Sequence, residues 1–331
     1  MTIVITGGAG FLGLRLARTL LERSTLRDGE GLERLIDRIL LVDVTAPPAI
    51  ADPRVSCIVG DISDRGLLND MVDAGTTSIF HLAAIVSGMA EADFDLGIRI
   101  NIDATRHLLE ACRRGGRCPR VVFTSSVAVY GGDLPDIISE TTPLNPQTSY
   151  GIQKAIGELL IGDYTRKGFI DGRALRLPTI SVRPGRPNAA ASSFVSGIIR
   201  EPLNGEDAVC PVDPGTRVWL ASPDTAIASL IAGHELPSAA LGNCRWVNVP
   251  GISVTAAEMV ASLERVAGSE VAKRVRWERD PRIERMMRGW PGAGDNSRAR
   301  ALGFPVDESF DAIIRRHMED MRSASRDSAQ V

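Results

Sequence analysis

The chain has 331 residues, 44% hydrophobic and 24% charged, enough apolar material for one large α/β domain and a smaller one. A net charge of −3 excludes a general basic field for nucleic acid or an anionic membrane, so any anion must be recognised by local groups. Five cysteines without a CxxC pair read as free thiols, and four scattered histidines without an HExxH leave no metal centre expected.

The N-terminus lacks a secretory leader's basic region and cleavage site, and no apolar run reaches the roughly 18 residues of a membrane helix. A cytoplasmic protein is the expectation.

Along the chain, a β-branched run at 2–6 is followed by a glycine-rich turn. Leu12, Leu14, Leu16, Ala17, Leu20 and Leu21 then recur at helical spacing. Compact apolar runs at 39–44, 55–59, 79–83 and 121–125 predict further strands, and 64–74, 102–114 and 150–167 read as helices between them. Near-continuous apolar strands alternating with helices predict a doubly wound, Rossmann-type parallel sheet covered on both faces. Residues 27–38 form a charged surface insert.

Past residue 180 the rhythm breaks. A helix is expected over 189–203, a turn at 211–215, and a strand and helix at 218–221 and 223–234. Later helices are expected at 255–268 and 308–321. The expected division is a dinucleotide domain over 1–180, rejoined by 214–243. A smaller C-terminal α/β substrate-binding domain takes 181–213 and 244–322, and 323–331 is a flexible polar tail.

Gly7, Gly10 and Gly13 space a G-x-x-G-x-x-G turn, and Gly8, Gly10 and Gly13 a G-x-G-x-x-G turn, between the first strand and the first helix. Such a turn brings backbone N–H groups and a helix N-terminus to a pyrophosphate, with Phe11 and Leu12 beside it. Asp43 ends the second strand, where a carboxylate accepts from the ribose hydroxyls and repels a 2′-phosphate. NAD is therefore expected rather than NADP.

Tyr150 and Lys154 stand at i and i+4, on one face of a helix. A nearby ammonium favours a phenolate, so the pair suits exchange of a carbinol proton during NAD-linked redox chemistry. Ser126, at a strand's carboxyl end, could donate to the substrate oxygen. Ser125 suits strand-end capping equally well.

In their order, these motifs resemble the extended short-chain dehydrogenase/reductase family, which contains the NAD-dependent epimerases and dehydratases. The resemblance also rests on Asp61-Ile62, His81-Leu82-Ala83-Ala84, Asn101 and 176–179, and it spans nearly the whole chain. It implies that Tyr150, Lys154 and Ser126 are catalytic and that Asp61 and Ile62 flank the adenine. It implies that Leu82, Ala83 and Ala84 line the adenosine side, with Asn101 among the cofactor residues. Lys154 would also hold the nicotinamide ribose, with Pro178 and Thr179 near the nicotinamide. A homodimer through a four-helix bundle of the helices at 103–114 and 150–166 is implied as well.

Within the family, the stretches 80–87, 176–188, 190–196, 200–211 and Trp290-Pro291 are similar to sugar-acid dehydrogenases. That likeness implies oxidation of the 2-hydroxyl of a four-carbon sugar acid. Arg183 or Arg217 would pair with the carboxylate, and Ser87, Asn188, Ser192 and Ser193 would meet the remaining hydroxyls. Ser192 and Ser193 equally suit helix caps, and Arg183 equally suits a loop salt bridge. The alternatives are a nucleotide-sugar epimerase or dehydratase that retains its NAD, and a non-catalytic dinucleotide sensor.

Overall fold

The computed structural model describes residues 1–72, 75–185 and 192–328, with side chains to Ser323. Strands β1 (Thr2–Thr6), β2 (Arg38–Asp43), β3 (Val55–Val59), β4 (Thr76–His81), β5 (Arg120–Ser126), β6 (Asp171–Leu177) and β9 (Trp246–Asn248) form the main sheet. All its pairings are parallel, in the order β9-β6-β5-β4-β1-β2-β3. The reversal on either side of β1 opens a crevice at the carboxyl ends of β1 and β4, the usual ligand position in such sheets.

Parallel strands are buried on both faces, which is why Ile3, Val4, Ile5 and the run Ile39–Val42 have no polar alternation. Helices α1 (Phe11–Arg23) and α6 (Pro223–Glu235) bury Leu16, Leu20, Leu230 and Ile231 against one face. Helices α2 (Arg65–Met71), α3 (Ala104–Gly115) and α4 (Ser149–Arg166) cover the other with Leu68, Leu108, Leu109 and Ile161. The expected helix at 102–114 begins earlier, because a π-helical turn over Ile98–Asp103 leads into α3. The 27–38 insert folds as a hairpin, Thr25–Arg27 against Glu33–Leu35.

A second core gathers Val195, Ile198, Ile199, Met259, Leu263 and Ile314. These come from α5 (Ser193–Leu203), α7 (Ala256–Ala267) and α8 (Phe310–Ser328). A small sheet of β7 (Thr179–Ile180), β8 (Arg217–Ala221) and β10 (Ile252–Thr255) stands beside it.

Two placements differ from the sequence expectation. Trp246–Asn248, expected outside the large sheet, is its edge strand on β6; three residues carry no periodicity by which to place them. The expected tail at 323 instead continues α8 to Ser328, since Ser323, Ala324, Ser325 and Arg326 contain no helix breaker. Among the described residues, no helix is long and apolar enough to cross a membrane.

Candidate active site

The cleft at the carboxyl edge of the large sheet encloses about 300 Å³. Its floor is the glycine turn, where Gly7 N and Gly8 N donate to Val42 O at 2.9 and 3.2 Å. Gly7 has φ +70°, and a Cβ there would lie 2.8 Å from Ala83 N. A Cβ on Gly13 would run into the Gly7 carbonyl oxygen, so helix and turn can meet only without a side chain. Asp43 Oδ2 accepts from Ala9 N at 3.0 Å, tying the end of β2 to the turn. A cradle that any side chain would fill, with a carboxylate fixed at its rim, fits the diphosphate and ribose of NAD.

Gly7, Gly10, Phe11, Leu12, Gly13, Leu82 and Ala84 line this part of the cleft. Pro178 and Thr179 line its far side, after β6. Ala83, Asn101, Asp61 and Ile62, expected as cofactor residues, are not among the residues that line the cleft. Ala83 N donates to Thr6 Oγ1 at 3.3 Å. Asn101, buried in the π turn, receives Ile85 N at 2.8 Å and donates to Ile85 O at 3.0 Å, so it holds the wall segment that precedes Ser87. Asp61 pairs with Arg99 at 2.7 Å, and Ile62 belongs to the core under α2.

The reacting side chains come from β5 and α4. Thr148 caps α4 by accepting from Gly151 N at 3.2 Å. A Cβ on Gly151 would strike Ala128 O, and the bare glycine lets the helix start close to the segment after β5. That approach brings Tyr150 to Ser126. Tyr150, Lys154, Ser126, Ser87, Arg183 and Ser192 all face the cleft, with Val86, Thr124 and Trp290.

Burial pushes the Tyr150 phenol above its usual value, opposed by the Arg183 charge and the Ser126 hydroxyl. The spacing of α4 predicts relief of the phenol by Lys154, and the ammonium lies beside the Tyr150 ring while tied to β5. Lys154 Nζ donates to Thr124 O at 2.8 Å, lies 4.6 Å over the Phe123 ring, and is 5.7 Å from the Tyr150 ring centre. Burial pulls Lys154 down to about 7, opposed by Glu158. Behind it, His81 sits at about 3 because it is buried and then because Lys154 is close. Its ring bridges Thr6 Oγ1 at 2.7 Å and Thr105 Oγ1 at 3.0 Å.

The two candidate arginines separate. Arg183 is half-buried at the cleft, its Nε donating to Ile180 O at 3.0 Å, and no carboxylate pairs with it among the described residues. Its neighbour Arg200 has Glu201 at 2.5 Å. Arg217 is exposed at the start of β8, 3.4 Å from Ser253 Oγ, and does not line the cleft. Ser193 begins α5 outside the lining, and Asn188 lies outside the described residues.

Sequence reasoning passed over Trp290, Glu158 and the Arg176 side chain as site groups. Glu158 carried a signal, being i+4 from Lys154. Trp290 carried none by spacing, since only tertiary folding brings it to the cleft.

Residues 3–238 match the NAD dependent epimerase/dehydratase family. The chain belongs to that family. NAD is therefore its cofactor, consistent with the glycine cradle. A D-erythronate dehydrogenase of Cupriavidus necator is 60% identical, over 97% of this chain and 98% of its own. One of Haemophilus influenzae is 48% identical, over 96% and 99%. A solved structure from Agrobacterium tumefaciens, described as a nucleoside-diphosphate-sugar epimerase, aligns with TM-score 0.90 and 45% identity over 97% of this chain and 94% of that one. This epimerase/dehydratase chain thus shares nearly its whole length with relatives that carry two different activity names.

Proposed function

We propose that the protein is an NAD-dependent sugar-acid dehydrogenase that oxidises the 2-hydroxyl of a four-carbon acid, D-erythronate, to the 2-oxo acid. The observation that carries this reading is Arg183, a guanidinium that has no carboxylate partner among the described residues and faces the Tyr150–Ser126 pair across the cleft. A carboxylate bound there presents the carbon next to it, and so the 2-hydroxyl, to the phenol. The names of the two relatives from C. necator and H. influenzae support the same substrate.

NAD supplies a two-electron acceptor at its nicotinamide. The chain's own groups do the rest. The glycine turn and Asp43 hold the dinucleotide. Ser126 donates a hydrogen bond to the substrate oxygen, and Tyr150 Oη removes its proton. Arg183 eases ionisation of a phenol that burial alone would keep protonated. The Lys154 ammonium, fixed on Thr124 O, would hold the nicotinamide ribose. Ser87 and Ser192 meet the other hydroxyls. The apolar wall at Val86, Pro178 and Trp290 excludes water.

The second reading, a nucleotide-sugar epimerase, has the name of the Agrobacterium structure behind it. NADH absorbance on mixing protein, NAD and D-erythronate separates the two. Absorbance at 340 nm supports the dehydrogenase, whereas no NADH together with epimerised UDP-glucose replaces it. Tyr150→Phe should keep NAD binding and lower turnover about 10²–10⁴-fold, the usual loss for an acid–base group. Near-normal turnover would remove Tyr150 from the mechanism.

A homodimer is part of the proposal. Phe94, Ile152 and Leu159, on or beside the helices expected to form a four-helix bundle, are exposed at 60%, 47% and 63%. A second copy of α3 and α4 would cover this face.

A further inference from the structure

Three consecutive residues of β5 engage three residues spaced one turn apart on α4. The Thr124 carbonyl accepts from Lys154 Nζ at 2.8 Å, Ser125 Oγ donates to Glu158 Oε1 at 2.5 Å, and Ser126 meets Tyr150. Glu158 is the group the mechanism has not used. It is 1% exposed, as is its partner Arg176, which reaches it through Nε at 2.8 Å and Nη2 at 2.6 Å. Ser125 and Arg176 are register partners on β5 and β6, so both grips on Glu158 come from one level of the sheet.

A buried ion pair is weak evidence for stability, because desolvation of both charges offsets their attraction. This pair is also fastened further than packing needs. Arg176 Nη1 donates to Tyr130 Oη at 2.6 Å, Tyr130 Oη donates to Asn248 Oδ1 at 2.9 Å, and the guanidinium stacks on Trp246 at 5.3 Å. The anchoring places one carboxylate, in a fixed orientation, one helical turn from the Lys154 ammonium.

The surroundings of Lys154 leave that carboxylate without a rival among the described residues. On α4 it has Tyr150 and Glu158. From β5 come the Thr124 carbonyl and the Phe123 ring, from β4 the neutral His81, and from β6 Arg176, already bound to Glu158. The nearby Asn101–Gln153 pair carries no charge.

We propose that Glu158, gripped by Ser125 and Arg176, is a positioning residue that holds α4 in register on β5 and keeps the Lys154 ammonium charged in the working enzyme. This rests on the reading of Tyr150 and Lys154 as the reacting pair. It assigns Ser125 a place behind the catalytic helix rather than in the cleft's chemistry. Direction supports it, because the Glu158 charge opposes the burial that drives Lys154 down.

The chain has only three lysines, Lys154, Lys167 and Lys273, so ¹³C-lysine labelling gives three Cε signals to follow against pH. Lys167 and Lys273 lie on the surface and act as internal references. In Glu158→Gln, the Lys154 midpoint should fall by about one pH unit, the scale on which a single neighbouring charge acts. The references should not move. The alkaline fall of kcat/KM should shift down with it, and Glu158→Asp should restore part of both.

Since Glu158→Gln strands the Arg176 cation, Glu158→Gln/Arg176→Gln is the companion variant. It removes both charges, keeps the polar contacts, and should show a smaller fall in the same direction, since no stranded cation then adds to it. An unchanged Lys154 midpoint in a folded variant overturns the proposal, and a shifted midpoint with an unmoved kcat/KM profile overturns its kinetic half. The Lys154 titration is read on the protein without turnover. Failure of the dehydrogenase reading would appear instead as Tyr150→Phe retaining activity.

Discussion

Arg183→Gln tests the substrate assignment. The substitution keeps a polar side chain of similar reach and removes the charge. A hydrogen bond to a charged group contributes about 1.5–3 kcal/mol, and half-burial of Arg183 argues for the middle of that range. About 2 kcal/mol corresponds to roughly a 30-fold loss in kcat/KM for D-erythronate. Arg183 also eases ionisation of Tyr150, so its loss should move the acidic limb of the pH–rate profile upward.

The assay is steady-state NADH formation with two substrates, D-erythronate and the neutral polyol erythritol, across pH 6 to 10. The charge-dependent loss should appear with the acid and vanish with the polyol, whereas the limb should move with both. Arg217→Gln serves as the control: exposed and outside the cleft lining, it should change either value less than about twofold. An Arg183→Gln enzyme that loses equally on acid and polyol, or an Arg217→Gln enzyme that loses selectively on the acid, would refute the argument.

Leu159→Glu should convert a dimer to a monomer in sedimentation velocity, since it sets a charge on a face where that leucine is 63% exposed in the single chain. A monomeric wild-type protein would dismiss the bundle. For pH, His81 is held at about 3 when folded against about 6.5 unfolded, so below pH 6.5 the unfolded chain takes up a proton that the folded one refuses. Stability from this residue should fall by roughly 1.4 kcal/mol per pH unit from 6.5 down to 3. Imidazole resonances of His81 should stay in the neutral form at pH 5, and a midpoint near 6.5 would contradict the buried Thr6–His81–Thr105 bridge.

The sequence by itself determined what is local. Uninterrupted apolar runs between helical patterns dictate a parallel sheet, because strands buried on both faces leave no room for polar alternation. The glycine turn was legible because only glycine tolerates the Gly7 conformation and the Gly13 contact. Tyr150 and Lys154 were legible as i and i+4, which fixes a shared helix face but not where each tip points.

The tertiary structure decided those directions. It tied the lysine to Thr124 beside the Tyr150 ring and added Arg183 and Ser126 as groups that act on the phenol. It separated Arg183 in the cleft from Arg217 on the surface, a choice residue type could not make. It left Asn101, Ala83, Asp61 and Ile62 outside the cleft lining, and brought Trp290 into that lining from the far end of the chain. The physical reason is range: helical and strand periods act over a few residues, whereas Ser125, Glu158 and Arg176 meet only once β5, α4 and β6 have packed together.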